Sequence, residues 1–240
     1  MSDDTVVVRT RDLWKTYPQE PEPVQAVRGV TLEIARGEFV AMAGPSGSGK
    51  TTLLNLLGGL TRPTRGTIEV AGRDLAALGN RALAALRLES IGFVFQAYNL
   101  LPVLTALENA EFPLLLRGVP ADERRRRVLG IFGEIGMRGL EDRLPGKLSG
   151  GQQQRVAVAR AVAGEPALVL ADEPTANLDS AASAALLEMM EHLNREHGAT
   201  FVFATHDPRV TERARRLIRL VDGAVESDVR QDAHRPPPAA

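Results

Sequence analysis

The sequence predicts an α/β fold in which a largely parallel sheet is interrupted by a block of helices, and three observations carry that reading. Two short runs, "ALVLA" at 167–171 and "FVFA" at 201–204, are almost wholly apolar, as expected of strands buried on both faces of a parallel sheet. Five β-branched runs between turn signals, at 6–9, 30–34, 39–43, 66–70 and 91–95, read as further strands. From about residue 96 to 164 the pattern turns helical. Leu104, Leu107, Leu114, Leu115, Val128, Ile131 and Phe132 fall near helix spacing, and Pro102, Pro113 and Pro120 break the run. The polar, proline-rich end from about Glu226, closing in "AHRPPPAA", is expected to be disordered.

Composition narrows the function classes. A chain of 240 residues can bury a sizeable core as one domain. Lysine and arginine total 29 against 30 acidic residues, a balance that gives no footing for nucleic-acid binding. Cysteine is absent, which removes disulfide frameworks, thiolate metal sites and cysteine nucleophiles. The start "MSDDTVVVRT" lacks the features of a signal peptide, and no run approaches the roughly 18 apolar residues of a spanning helix. The expectation is a cytosolic chain, or one held against a membrane by something else.

The chemistry begins at Gly44, Pro45, Ser46, Gly47, Ser48, Gly49, Lys50 and Thr51, followed by Thr52, between the strand at 39–43 and an apolar helix at 51–57. This is the G-x-x-x-x-G-K-[ST] pattern in its strand-to-helix context. Glycines let successive N–H groups curl around a β-phosphate, Lys50 reaches the β and γ oxygens, and the Thr51 hydroxyl can ligate Mg²⁺. Further on, "ALVLADEP" delivers Asp172 and Glu173 to the carboxyl end of a buried strand, where α/β ligands bind. Neighbouring strand residues point in opposite directions. Asp172 can therefore support the Mg²⁺ shell while Glu173 faces the water that attacks the γ-phosphate, as general base.

A second anion site raises a puzzle. Ser149, Gly150, Gly151 and Gln152 open a helix in "LSGGQQQRVAVARA", and the first N–H groups and positive dipole end of such a helix favour a phosphate. One nucleotide is already held by Lys50. The stretch resembles the LSGGQ signature of the ATP-binding cassette (ABC) family, in which two such domains pack head to tail and each signature helix caps the γ-phosphate held by the other. The resemblance covers about residues 5 to 225, with every core motif in family order. It implies a P-loop NTPase core with an N-terminal antiparallel β-subdomain and an inserted α-helical subdomain at about 97–164. Residues 1–225 would form the single ATP-binding domain, and 226–240 the tail.

The same resemblance implies further roles. Tyr17 in "KTYP" matches the aromatic that stacks on adenine, although a surface or core tyrosine reads equally simply. Gln96 matches the glutamine that contacts Mg²⁺ or water and links the core to the helical subdomain. Asp179 in "ANLD" matches an aspartate that crosses the dimer interface, and it also reads as the N-cap of the next helix. His206 matches the histidine that hydrogen-bonds the γ-phosphate. The run Arg124 to Arg127 reads as a solvated helix face, with lipid head groups the lesser option.

Within the family, "LLNLLGGLTRPTRGTI" and "QAYNLLPVLTALENAEFPLLLRG" are similar to the lipoprotein-release and macrolide-export ATPases and their cell-division relative. The implied cofactors are ATP and Mg²⁺. The implied partners are a second copy of this chain and a separate membrane permease, no membrane segment being fused here, at the cytoplasmic side of the inner membrane. The segment from Gln96 to Gly118 is expected to form the permease groove, with Leu101, Leu104 and Leu107 on its surface. A DNA-repair ATPase with the same signature would need long heptads or zinc hooks, which this chain lacks. A non-transporting regulator of cell-wall or cell-division enzymes would share every motif and stays open.

Overall fold

The computed structural model describes residues 5–231. The first half of the chain forms β1 (Val6–Tyr17), β2 (Val24–Ala35), β3 (Phe39–Ala43), α1 (Lys50–Leu57), β4 (Arg65–Val70), β5 (Arg73–Asp74), α2 (Asn80–Ser90), β6 (Ile91–Val94) and α3 (Ala106–Leu116). The second half forms α4 (Ala121–Glu134), α5 (Gly150–Val162), β7 (Leu168–Asp172), α6 (Ser180–His197), β8 (Phe201–Thr205), α7 (Pro208–Arg213), β9 (Arg216–Val221) and β10 (Ala224–Arg230). One sheet runs β10-β9-β3-β8-β7-β6, parallel except for its β10 edge. A second, antiparallel sheet runs β2-β1-β4-β5.

The period-two alternation of the central strands divides the interior into two cores. Phe39, Val169, Ala171, Phe201 and Phe203 face the helices of one cluster, where Val156, Leu186 and Met190 meet them. Their neighbours Val40, Met42, Leu168, Leu170, Val202 and Ala204 face the other cluster, with Leu53 and Leu57 of α1 and Val8 and Ile34 of the antiparallel sheet. Both faces of β3, β7 and β8 are thus covered, which is why these strands read as continuous apolar runs.

Helices α3, α4 and α5 enter between β6 and β7 and pack on one another through Leu107, Leu114, Val128, Phe132 and Val156. The start of α3 is fixed by a reciprocal cap, in which Glu108 N donates to Thr105 Oγ1 (3.2 Å) and Thr105 N to Glu108 Oε2 (2.8 Å). Those bonds, the backbone one first, hold the Glu108 carboxyl below its ordinary value. Pro113, expected to break the helix, lies inside α3. There it forgoes one backbone bond, the one its N–H would have made to Asn109, and the helix ends three residues further on. Leu107, expected on the surface, is only 2% exposed and belongs to the core between α3 and its neighbours.

The end of the chain departs from its expected disorder. Residues 224–230 form β10 against β9, because Arg216 of β9 bonds Asp228 of β10 (2.7 and 2.8 Å) and Glu38 (2.8 Å). Polar composition here marks a charge-paired edge strand rather than loose chain. Residues 232–240, the rest of that expected tail, lie outside the described residues. In the arginine run, Arg127 pairs with Glu123 and Arg124 with Glu111 (3.5 Å), so half of it is engaged within the domain.

Candidate functional site

The glycine loop leaves β3 at the carboxyl end of the central sheet and opens α1. Two of its glycines are dictated by close approach: a Cβ on Gly44 would fall 2.1 Å from Leu220 O, and one on Gly49, where φ is 97°, 2.1 Å from Ala26 O. Gly49 is also the N-cap of α1, and no side chain caps that helix. Its first N–H groups are therefore unsatisfied by side chains and available to an anion.

Lys50 is 8% exposed, and its ammonium donates to Gly44 O (2.7 Å) and Pro45 O (2.9 Å). An ammonium has three donors, and none of the ion pairs among the described residues involves Lys50. A nearly buried cation whose hydrogen bonds among the described residues go to carbonyls is arranged for an anionic partner. Thr51 Oγ1 donates to Asp172 Oδ1 (3.1 Å). Burial is the main cause that raises the Asp172 carboxyl above its ordinary value; the Thr51 bond and Lys50 pull the other way, and Glu173 adds to the rise.

Glu173 turns the chain out of β7 with φ at 44°, a left-handed conformation unusual for a side-chain-bearing residue. Its carboxylate is gripped on both oxygens, by Thr205 Oγ1 (3.1 Å) and His206 Nδ1 (2.6 Å). Thr205 in turn accepts from Asp207 N (2.9 Å), and Asp207 accepts from Thr175 Oγ1 (2.7 Å). The Arg209 and Thr175 bonds hold the Asp207 carboxyl below its ordinary value in spite of burial, the largest opposing cause.

A cleft of about 990 Å³ gathers these groups: Pro45 to Thr52, Gln96, Glu173 and His206 line it, with Ala26, Arg28 and Asp222 on the facing side. Asp172 stands behind Thr51 rather than on the wall. Tyr17 does not reach the wall either. It ends β1 opposite Val24, which does line the cleft, and the Lys15 ammonium lies 4.9 Å from its ring centroid.

The signature segment is elsewhere. Ser149 caps α5 by accepting from Gln152 N (3.3 Å), while Gln152 Oε1 accepts from Ser149 N (2.9 Å). None of Ser149, Gly150, Gly151 and Gln152 lines the cleft. Asp179 caps α6 by accepting from Ala182 N (2.8 Å), as its simpler reading required.

Several residues at this site were not anticipated. Thr205 reaches Glu173, and Thr175 reaches Asp207, each across 32 positions of sequence, and only "THDP", a strand end before an Asp-Pro helix start, signals this brace. Asn177 Nδ2 donates to Gln96 O (2.9 Å), and Gln154, fully buried, to Pro174 O (3.0 Å).

A phosphate loop and an acidic pair at the carboxyl end of a parallel sheet define a nucleotide-hydrolysing P-loop protein. The family model described as ABC transporter matches residues 27–176. The lipoprotein-releasing system ATP-binding protein LolD of Geobacter metallireducens is 44% identical over 222 residues, 92% of this chain and 99% of its own. The macrolide export ATP-binding/permease protein MacB 1/2 of Paracoccus denitrificans is 46% identical over 227 residues, which are 95% of this chain but 34% of that longer protein. The solved dimer of the ATP-binding cassette MJ0796 in a post-hydrolysis state, bound to ADP and Pi, matches with a TM-score of 0.86 at 41% identity, covering 95% of this chain and 100% of that one.

The chain therefore belongs to the ABC transporter family, and it is an ATP-binding, ATP-hydrolysing cassette of that family.

Proposed function

We propose that this cassette works as a head-to-tail pair, in which the α5 N-terminus of each copy meets the nucleotide held by the other, and that the pair energises a separate membrane permease of the lipoprotein-release or macrolide-export kind. The observation that carries this reading is the separation of the two anion-ready helix ends: α1 opens into the cleft and α5 does not. The solved MJ0796 cassette is dimeric, which supports the pairing of two copies. Among the described residues no helix is long and apolar enough to cross a membrane. A peripheral position on the cytoplasmic side is our reading from the family.

In the reaction, Lys50 and the loop N–H groups hold the β- and γ-phosphates, and Glu173 accepts the proton of the water whose oxygen attacks the γ-phosphorus as ADP leaves. Thr205 and His206 fix the carboxylate so that it points into the cleft. With Nδ1 on Glu173, His206 keeps Nε2 for a γ-phosphate oxygen; donating on both sides at once requires the doubly protonated ring. Among the described residues no cluster of three acidic or histidine groups could hold a metal alone. Thr51 and Asp172, with Gln96, instead offer the sparse oxygen donors that suit Mg²⁺ shared with phosphates. Magnesium would neutralise the charge that develops on those phosphates.

The permease contact is assigned to the groove of about 440 Å³ between the helical insertion and the core, walled by Phe93, Phe95 and Pro113; Leu101 and Val103, of the same inserted segment, are exposed.

The decisive experiment uses light scattering. Glu173→Gln should dimerise with Mg-ATP and remain monomeric without it, and adding Ser149→Arg should abolish the shift. If the double variant still dimerises, α5 does not meet the partner's nucleotide.

A further inference from the structure

Helix α5 approaches the segment on either side of Gln96 at three separate points. Arg160 donates from Nη1 to Asn99 O (2.6 Å) and from Nη2 to Tyr98 O (2.9 Å). Gln154 Nε2 spans from Pro174 O (3.0 Å), next to Glu173, to Phe95 O (3.5 Å), next to Gln96. At the first residue of the helix, a methyl on Gly150 would fall 2.9 Å from the Tyr98 hydroxyl.

Each contact is unusual for mere packing. Burial pulls the Arg160 guanidinium below its ordinary value and, among the described residues, no carboxylate pairs with it; its hydrogen bonds go to two carbonyls. Those carbonyls belong to Tyr98 and Asn99, both left-handed at φ 57° and 50°, a conformation that persists only when surroundings impose it. Gln154 is fully buried and its Oε1 has no hydrogen-bond partner among the described residues, a cost that an apolar residue of equal size would avoid.

We infer that Arg160 and Gln154 are positioning residues for hydrolysis: they strap the loop that carries Gln96 to the helix whose N-terminus is offered to the partner copy. The nucleotide sensed by a chain in its own cleft and the cap it presents to the other are thereby set by one rigid helix. Displacement of α5 would move the Phe95 and Tyr98 carbonyls with it and carry Gln96 toward or away from the cleft. The inference rests on the reading of Gln96 as a group that contacts the reacting nucleotide's metal or water.

The test compares Arg160→Met, Arg160→Lys, Gln154→Met and Gln96→Ala by steady-state hydrolysis of Mg-ATP and by amide hydrogen exchange. Arg160→Met should lower kcat about tenfold, with KM within about threefold, because the loop is misplaced while phosphate binding is intact. Exchange at residues 97–99 should quicken while that of α5 stays as in the wild type. Arg160→Lys should recover part of kcat, since an ammonium can still hold one carbonyl. Gln154→Met should show the same pattern in smaller measure, and decides the matter if Arg160→Met does not fold. Wild-type kcat in Gln96→Ala would remove the reading of Gln96. A slow Gln96→Ala beside wild-type kcat and exchange in well-folded Arg160→Met and Gln154→Met would leave that reading standing and overturn the strap.

Discussion

Helices α1 and α5 both begin on a glycine-rich turn, yet their first turns are finished differently. The N-cap of α1 is Gly49, which has no side chain to bond the first N–H groups, and a nearly buried lysine follows it. The N-cap of α5 is Ser149, which together with Gln152 satisfies two donors reciprocally. A helix end that holds its ligand within its own chain can leave donors to the ligand. One that meets a phosphate only when a partner arrives must be stable alone, and a capping box supplies that stability.

The largest effect should come from trapping both ends in the engaged state. Glu173→Gln keeps the shape but cannot accept the water's proton, so turnover at saturating Mg-ATP should fall about 10²-fold or more while ATP still binds. Activity within threefold of wild type would remove Glu173 as the base. Next in size is Lys50→Met, which strips the cation from the α1 end alone. Charge-assisted bonds contribute about 1.5–3 kcal/mol, so ATP affinity measured by titration calorimetry should fall between about tenfold and a hundredfold. An unchanged affinity would mean that the α1 backbone alone holds the nucleotide.

The two ends were also unequally legible in the sequence. Lys50, Thr51, Asp172 and Glu173 are local motifs whose spacing states their chemistry, and the structure brings them to one end of one sheet. The brace around Glu173 was hidden, because Thr205 and Asp207 reach it only after β7 and β8 pair. The facing wall at Ala26, Arg28 and Asp222 comes from β2 and the β9–β10 turn, with no periodicity to announce it. The apolar pattern found the doubly covered strands but missed α2, β9 and β10, whose charged residues serve exposed or ion-paired faces. Leu107 and Leu101 look alike in sequence; only packing of α3 against its neighbours separates core from surface.

Ser149→Ala sharpens the contrast from the α5 side. Losing the cap should cost about 1 kcal/mol, lowering the melting temperature of the nucleotide-free chain by about 2–4 °C. ATP binding by the monomer should stay within about twofold, since α1 is untouched. A matching loss of monomer affinity would mean that the two helix ends share one nucleotide in one chain.

The smallest effect separates stability from function inside the α1 site. Asp172 is raised above its ordinary value mainly by burial, so the folded chain binds that proton more tightly than the unfolded one. The stability tied to this group is therefore present below the ordinary carboxylate range and lost as pH rises through the raised value. At neutral pH the ionised Asp172 is a burden that the nucleotide-free fold carries for the sake of its ligand. Asp172→Asn keeps an oxygen to accept from Thr51 and removes the charge. It should raise the nucleotide-free melting temperature by about 1–2 °C at pH 8, with the gain shrinking as pH approaches 4, while hydrolysis falls. Scanning calorimetry at the two pH values decides it: an equal gain at both, or a loss at pH 8, would show that the buried charge is already compensated in the unliganded chain.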